Sequence, residues 1–211
     1  LENGTERKKM GLYQLGAYNH KTDLSEQAMI IRDFVLKTND YDPIKKLIEQ
    51  FDSLEEESIF ILRAAILAGF WTSYYGFSWT ADQEIEFWEM VYNKNPNSGI
   101  AILTLAESYR GNKVKDLEEV MPLYFKAIAI DPMHFYSLTQ EGGEDLEKLR
   151  KNVAMNKKLL GLEMDIMKNL HNYSREEFLD QQPYLLKMCY NDKELEEYVS
   201  MKINSLISNL P

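Results

Sequence analysis

Cysteine is almost missing from this chain of 211 residues: Cys189 is the only one, so no intrachain disulfide can form. It stands in the apolar segment YLLKMCY, where it is expected to pack as a small hydrophobe and not to act as a nucleophile. A lone thiol fits a reducing compartment, and a cytoplasmic location is favoured. The chain starts at Leu1, not Met, so a processed N-terminus stays open. Glycine (10) and proline (6) are scarce, which leaves little room for flexible linker. No run is long and apolar enough to span a bilayer, and the opening LENGTERKKMG is not a signal peptide.

Chemistry-bearing clusters are scarce too. The three histidines, His20, His134 and His171, are far apart, and none belongs to an HExxH or Cys/His pattern, so no zinc or other metal site is expected. There is no phosphate-binding glycine loop, no GxSxG elbow and no Cys–His pair. No cofactor and no enzymatic activity are expected. Basic residues are the minority, 24 against 34 acids, for a net charge of −10. Such a surface repels a phosphate backbone, which excludes nucleic acid as the expected partner and favours a basic protein.

What is present describes a folded, soluble chain. Hydrophobic residues make up 45% and aromatics 12%, ordinary for a packed domain and against disorder. The length suits a single domain over 1–211 with a substantial core.

Helical spacing runs through nearly all of it. Met10, Tyr13, Ala17 and Tyr18 fall on one face. Asp23-Leu-Ser-Glu26 reads as a capping box opening a helix to about Thr38, with Met29, Ile30, Phe34 and Leu36 available for burial. Asp42-Pro43 restarts a short helix. Ser53-Leu-Glu-Glu56 reads as a capping box before SIFILRAAILAGFWTSYYG, expected to be the most buried helix and to end near Gly76. Thr80–Gln83, Asp116–Glu119 and Ser174–Glu177 cap three more. A long helix is expected from Asp145 to about Asn172, bent at Gly161, and a final one from Lys193 to Asn209. No alternating β-branched run with a hairpin turn occurs. The expected class is all-α.

One stretch has a recognisable order, Ile100 to Pro132. Leu105, Ala106 and Tyr109 lie on a first helix, Gly111 marks a turn, and Tyr124, Ala127 and Ile128 lie on a second helix before Asp131-Pro132. This order resembles a tetratricopeptide repeat, a unit of about 34 residues. Ahead of Pro96, Trp71, Tyr75, Trp88 and Val91 occupy comparable places, giving degenerate units Ala65–Ser98 and Gly99–His134. Thr72, Glu84, Val91 and Val120 depart from the family's small residues, and residues 145–211 have lost the pattern. The resemblance implies antiparallel helix pairs stacked as a short solenoid of about 9–11 helices, whose first helices line a peptide-binding groove. Ile100, Leu103, Glu107 and Arg110 would face that groove. In some family members the groove grips a C-terminal carboxylate with Lys and Asn; Glu107 stands in one such place and argues against that mode.

Aromatics crowd Phe70 to Tyr92. As core, they lock two helices together. As a site, Tyr74, Tyr75, Phe77 and Trp79 would anchor a partner, because Tyr and Trp are enriched in binding hot spots. Acid pairs such as Glu56-Glu57, Glu118-Glu119 and Glu196-Glu197 are expected to be solvated helix faces or first turns. The favoured function is therefore a non-enzymatic protein–protein interaction module, with partner-binding residues Tyr74, Tyr75, Phe77, Trp79, Leu103, Glu107 and Arg110. An immunity or antitoxin protein that neutralises a basic toxin is one such module. The alternative is an α-helical small-molecule binder or enzyme using region 70–92 with Glu84 or Glu86. A third reading is an oligomerising scaffold.

Overall fold

The computed structural model describes residues 24–71, 79–171 and 173–210. Their regular structure consists of eleven helices, with no strand among the described residues. The chain is all-α, as its helical periodicities and caps require. The helix expected around Met10–Tyr18 lies outside the described residues, as does Asp23. The chain divides into two compact units, Leu1–Asp131 and Pro132–Pro211. The division falls at the Asp131-Pro132 step that closes the repeat-like stretch.

In the first unit the helices are α1 (Glu26–Val35), α2 (Tyr41–Glu49), α3 (Glu56–Trp71), α4 (Ala81–Lys94), α5 (Gly99–Gly111) and α6 (Leu117–Ile130). Helix α3 packs between α1 and α5, α2 packs on α4, and α5 is further covered by α4 and α6. This enclosure buries most of α5. Ala101 to Ala106, Ser108 and Tyr109 are all inside, and each large apolar side chain among them contributes roughly 1.5–3 kcal/mol. The apolar helix expected to be the most buried is α3, Glu56–Trp71, of which the side chains of 67–71 and the expected end near Gly76 lie outside the described residues.

Caps follow the sequence in part. Thr80–Gln83 and Asp116–Glu119 form reciprocal capping boxes. At α1 the cap is Ser25, whose Oγ accepts from Ala28 N at 3.2 Å, so the helix starts later than the box at Asp23 suggested. Ahead of α3, Ser53 is exposed and makes no box. Leu54 N instead donates to Asn95 Oδ1 at 2.8 Å and Glu55 N to Gln27 Oε1 at 2.7 Å. Side chains from two neighbouring helices thus satisfy donors that a local cap would otherwise take.

Burial on α1 departs from expectation. Its inner face is Ala28, Ile31 and Val35, at the i, i+3, i+7 spacing that one helix face allows. Met29, Ile30 and Leu36 are left exposed at 42%, 44% and 45%.

The second unit holds α7 (His134–Arg150), α8 (Val153–Leu170), α9 (Arg175–Asp180), α10 (Gln182–Lys187) and α11 (Lys193–Ile207). Its core gathers Leu160, Met164, Phe178, Leu185, Cys189 and Val199. Helix α7 runs through Gly142-Gly143 with a kink, Gly143 taking φ 46° and ψ −132°, a conformation open mainly to glycine. The long helix expected from Asp145 is broken at Lys151-Asn152, where Asn152 caps α8 by accepting from Met155 N. Gly161 does not end or interrupt α8. Its missing side chain makes room for Tyr198 of α11, since a Cβ there would stand 2.6 Å from the Tyr198 hydroxyl. Ser174–Glu177 is a reciprocal capping box, as read. No helix among the described residues is long and apolar enough to cross a membrane.

Candidate functional site

Two contacts fix how α3 and α5 lie together. Ile100 N donates to Glu56 Oε1 at 3.5 Å, and Arg63 Nη2 donates to Glu107 Oε2 at 2.6 Å. Both pairs are 44 residues apart in the chain, and the second lies two helical turns beyond the first. The helices therefore run parallel, as successive first helices do in a repeat stack. Between α4 and α6 the comparable contact, Lys126 Nζ to Tyr92 Oη, spans 34 residues. The two offsets differ by ten residues, and the unit boundary expected at Ala65 lies inside α3.

The face between these two helices is narrow and mixed in character. From Gly99 to Arg110 every residue is buried except Ile100, Glu107 and Arg110. These are three of the four positions expected to face a groove; the fourth, Leu103, is 3% exposed and belongs to the core. On α3 Phe60, Arg63 and Ala64 are half-buried, and Arg63 reaches Glu107. Phe60 sits about one turn from both Glu56 and Arg63 on the same helix face. The Arg63–Glu107 pair crosses the middle of the strip, with side chains 22% and 9% exposed. Such a face offers short apolar purchase at Phe60 and Ile100, one neutralised ion pair and the half-buried Arg110. Arg63 and Phe60 were not singled out from the sequence. The signal was there in the single charge inside SIFILRAAILAG, an otherwise apolar run.

The aromatic region behaves differently. Tyr74, Tyr75 and Phe77 lie outside the described residues. Trp79 is half-buried; its Nε1 donates to Asn39 O at 2.8 Å, and its ring meets Tyr41 and Phe87 edge-on at 5.2 and 5.1 Å. Phe87 in turn meets Trp88 at 5.4 Å. Trp79 thus ties the start of α2 to α4.

The two acids weighed for chemistry are both held by neighbours. Glu84 is buried and accepts from Ser108 Oγ at 2.9 Å and Asn112 Nδ2 at 3.0 Å, which fastens α4 to α5. Glu86 is exposed and accepts from Tyr41 Oη at 2.7 Å and Lys45 Nζ at 2.5 Å. These bonds, Lys45 first, hold its carboxyl below the ordinary range, while burial and then the bond to Glu86 push Tyr41 up to about 12. A carboxylate so committed is a poor proton acceptor for a substrate.

In the second unit a buried polar cluster stands where the sequence analysis named no candidate. Arg150 at the end of α7 donates from Nη2 to Glu163 Oε2 of α8 at 3.0 Å, with both side chains below a tenth exposed. Arg150 Nη1 also meets Met188 Sδ at 2.7 Å, and Asn156 Nδ2 donates to Met188 O at 2.7 Å. The cluster fastens α7, α8 and the end of α10 together. Cys189 beside it is fully buried, its Sγ donating to Leu185 O, and burial raises its thiol to about 11. It is packed among apolar side chains, as expected. His171 pairs with the Tyr136 hydroxyl and stacks on Tyr173. Among the described residues no three of His, Cys, Asp and Glu converge as metal ligands.

Comparison of the chain with family models, with curated proteins and with solved structures finds no match.

Proposed function

We propose that the α3–α5 face of the first unit binds an extended segment of another protein, and that the chain works as a non-enzymatic interaction module of tetratricopeptide-like build. The observation that carries this reading is the restriction of exposure on α5. Between Gly99 and Arg110 a helix covered on three sides leaves only Ile100, Glu107 and Arg110 short of full burial, and Arg63 of a parallel neighbour reaches across to Glu107. Parallel helices that share one accessible strip are how stacked helix pairs present a peptide groove.

The net charge of −10 favours a basic partner, which such a surface attracts most strongly at low salt. A buried, unpaired thiol supports a reducing, cytoplasmic setting. The small-molecule or enzymatic reading draws no comparable support, because Glu84 and Glu86 are taken up by neighbouring side chains and the described rings interlock.

The test is co-purification from the native organism's extract at low ionic strength, with the wild type and an Ile100→Asp/Arg110→Glu double variant as paired baits. A basic protein retained in stoichiometric amount by the wild type and lost by the double variant is the expected result. Equal retention by both baits moves binding off this face, and no stoichiometric protein on either bait removes the reading.

A further inference from the structure

The strip between α3 and α5 carries a different charge at each end. Glu56 lies level with Ile100 and Arg63 with Glu107, each pair 44 residues apart, so one offset matches the two helices along the strip. At the first level the exposed carboxylate of Glu56 stands beside Ile100, with Glu55 exposed just before it. The second level has half-buried Phe60 on α3 and buried Thr104 on α5. The third holds Arg63 and Glu107, whose charges cancel. At the fourth, half-buried Arg110 falls level with Ile66, which is buried and uncharged. The α4 acids Glu84 and Glu89 are taken up by Ser108, Asn112 and Tyr109, on the flank of α5 turned to α4. Along the strip the order is negative, apolar, neutral, positive.

We propose that the segment bound here carries a basic, an apolar and an acidic residue at alternate positions, the basic one at Glu56 and the acidic one at Arg110. It rests on the binding strip proposed above and adds the chemistry of the occupant. Phe60 lies about 6 Å and Arg110 about 15 Å beyond the first level. An extended chain turns alternate side chains to one face, and its third and fifth residues fall about 7 and 13 Å from the first. The three side chains thus meet Glu56, Phe60 and Arg110 in turn. The net charge of −10 acts at long range and draws a basic protein in, whereas the two ends of the strip select which of its segments fits. Ion pairs on a partly exposed face are individually small, so the preference is a matter of a few fold.

The test titrates the isotope-labelled full chain at low salt with four acetylated, amidated nonapeptides. All share Gly-Ser flanks, serine spacers and a central Leu, and they differ only at the third and seventh positions: Lys/Glu, Glu/Lys, Lys/Lys and Glu/Glu. Amide shifts report both the site and the affinity. One of the mixed peptides is expected to shift the amides of Glu56 to Arg63 and Ile100 to Arg110, and to bind at least about threefold tighter than either single-sign peptide. Glu56→Lys is expected to pass the preference to the Glu/Glu peptide and Arg110→Glu to the Lys/Lys peptide. Arg110→Gln, which keeps a polar side chain, is expected to erase the difference between the mixed peptide and Lys/Lys. High salt is expected to level all four. Equal affinity of the four peptides at these amides overturns the charge pattern and leaves the binding face in place. Tightest binding of Lys/Lys by the wild type leaves only the net charge at work and overturns the pattern too. No shift at millimolar peptide, or shifts only elsewhere, overturns both the pattern and the face.

Discussion

Arg63 Nη2 and Glu107 Oε2 stand 2.6 Å apart across two parallel helices. The pair holds α3 to α5 in the middle of the proposed binding strip. Glu107→Gln keeps the shape and removes the charge, and is expected to cost about 1–2 kcal/mol once screening at the partly exposed guanidinium is allowed for. Arg63→Met leaves a nearly buried carboxylate without its cation and is expected to cost more, about 3 kcal/mol. Urea unfolding checks both, through a lower midpoint at an unchanged slope.

Arg150 and Glu163 form the more deeply buried pair. Glu163→Leu strands a guanidinium in the core of the second unit and is expected to cost about 3–5 kcal/mol. The double variant Arg150→Met/Glu163→Leu removes both charges and is expected to recover most of that loss. Thermal and urea unfolding of the two variants, compared as a double-mutant cycle, measure the coupling.

Legibility in the sequence followed the range of the interaction. Helix existence and three capping boxes were readable, because Thr80 with Gln83, Asp116 with Glu119, and Ser174 with Glu177 are local exchanges between residues three apart. The start of α3 was misread because Ser53 is displaced by Asn95 and Gln27, partners that only the tertiary fold supplies. Of the four positions that the repeat resemblance implied for a groove on α5, Ile100, Glu107 and Arg110 are short of full burial and Leu103 is not. Leu103 failed there because a helix enclosed by α3, α4 and α6 buries positions that an isolated pair would expose. Met29, Ile30 and Leu36 were assigned to the core from their apolarity, while their neighbours Ala28, Ile31 and Val35 took it. Composition alone does not say which of two apolar faces on one helix meets a partner.

Gly161 offers a steric prediction. Gly161→Ala brings a Cβ to 2.6 Å from the Tyr198 hydroxyl, so the ring must shift, and a loss of about 1–2 kcal/mol is expected despite alanine's better helix propensity. Adding Tyr198→Phe removes the colliding oxygen and is expected to return at least half of the loss. Melting temperatures of the single and double variants decide it.

Two tyrosines predict an alkaline weakness. Burial first, and then a carboxylate accepting the phenol proton, push Tyr41 and Tyr109 from 10.0 up to about 12. The folded state thus keeps protons that the unfolded state releases. The contribution is fully present below pH 10 and lost as pH rises from there towards about 12. Denaturant midpoints are expected to fall between about pH 9 and about pH 11, and to fall less in a Tyr109→Phe variant. Phenolate absorbance of the folded protein gives an independent reading of the same shift.

The enclosure of α5 by three helices also sets a clock. Amide hydrogens there reach solvent only when α3, α4 and α6 all let go, so their exchange is expected to require global opening of the first unit. The exposed flank of α1 meets no such requirement, and its amides are expected to exchange by local fraying. Hydrogen–deuterium exchange along the chain would then rank the helices by how many neighbours must leave, with Ala101 to Tyr109 as the slowest segment of the first unit.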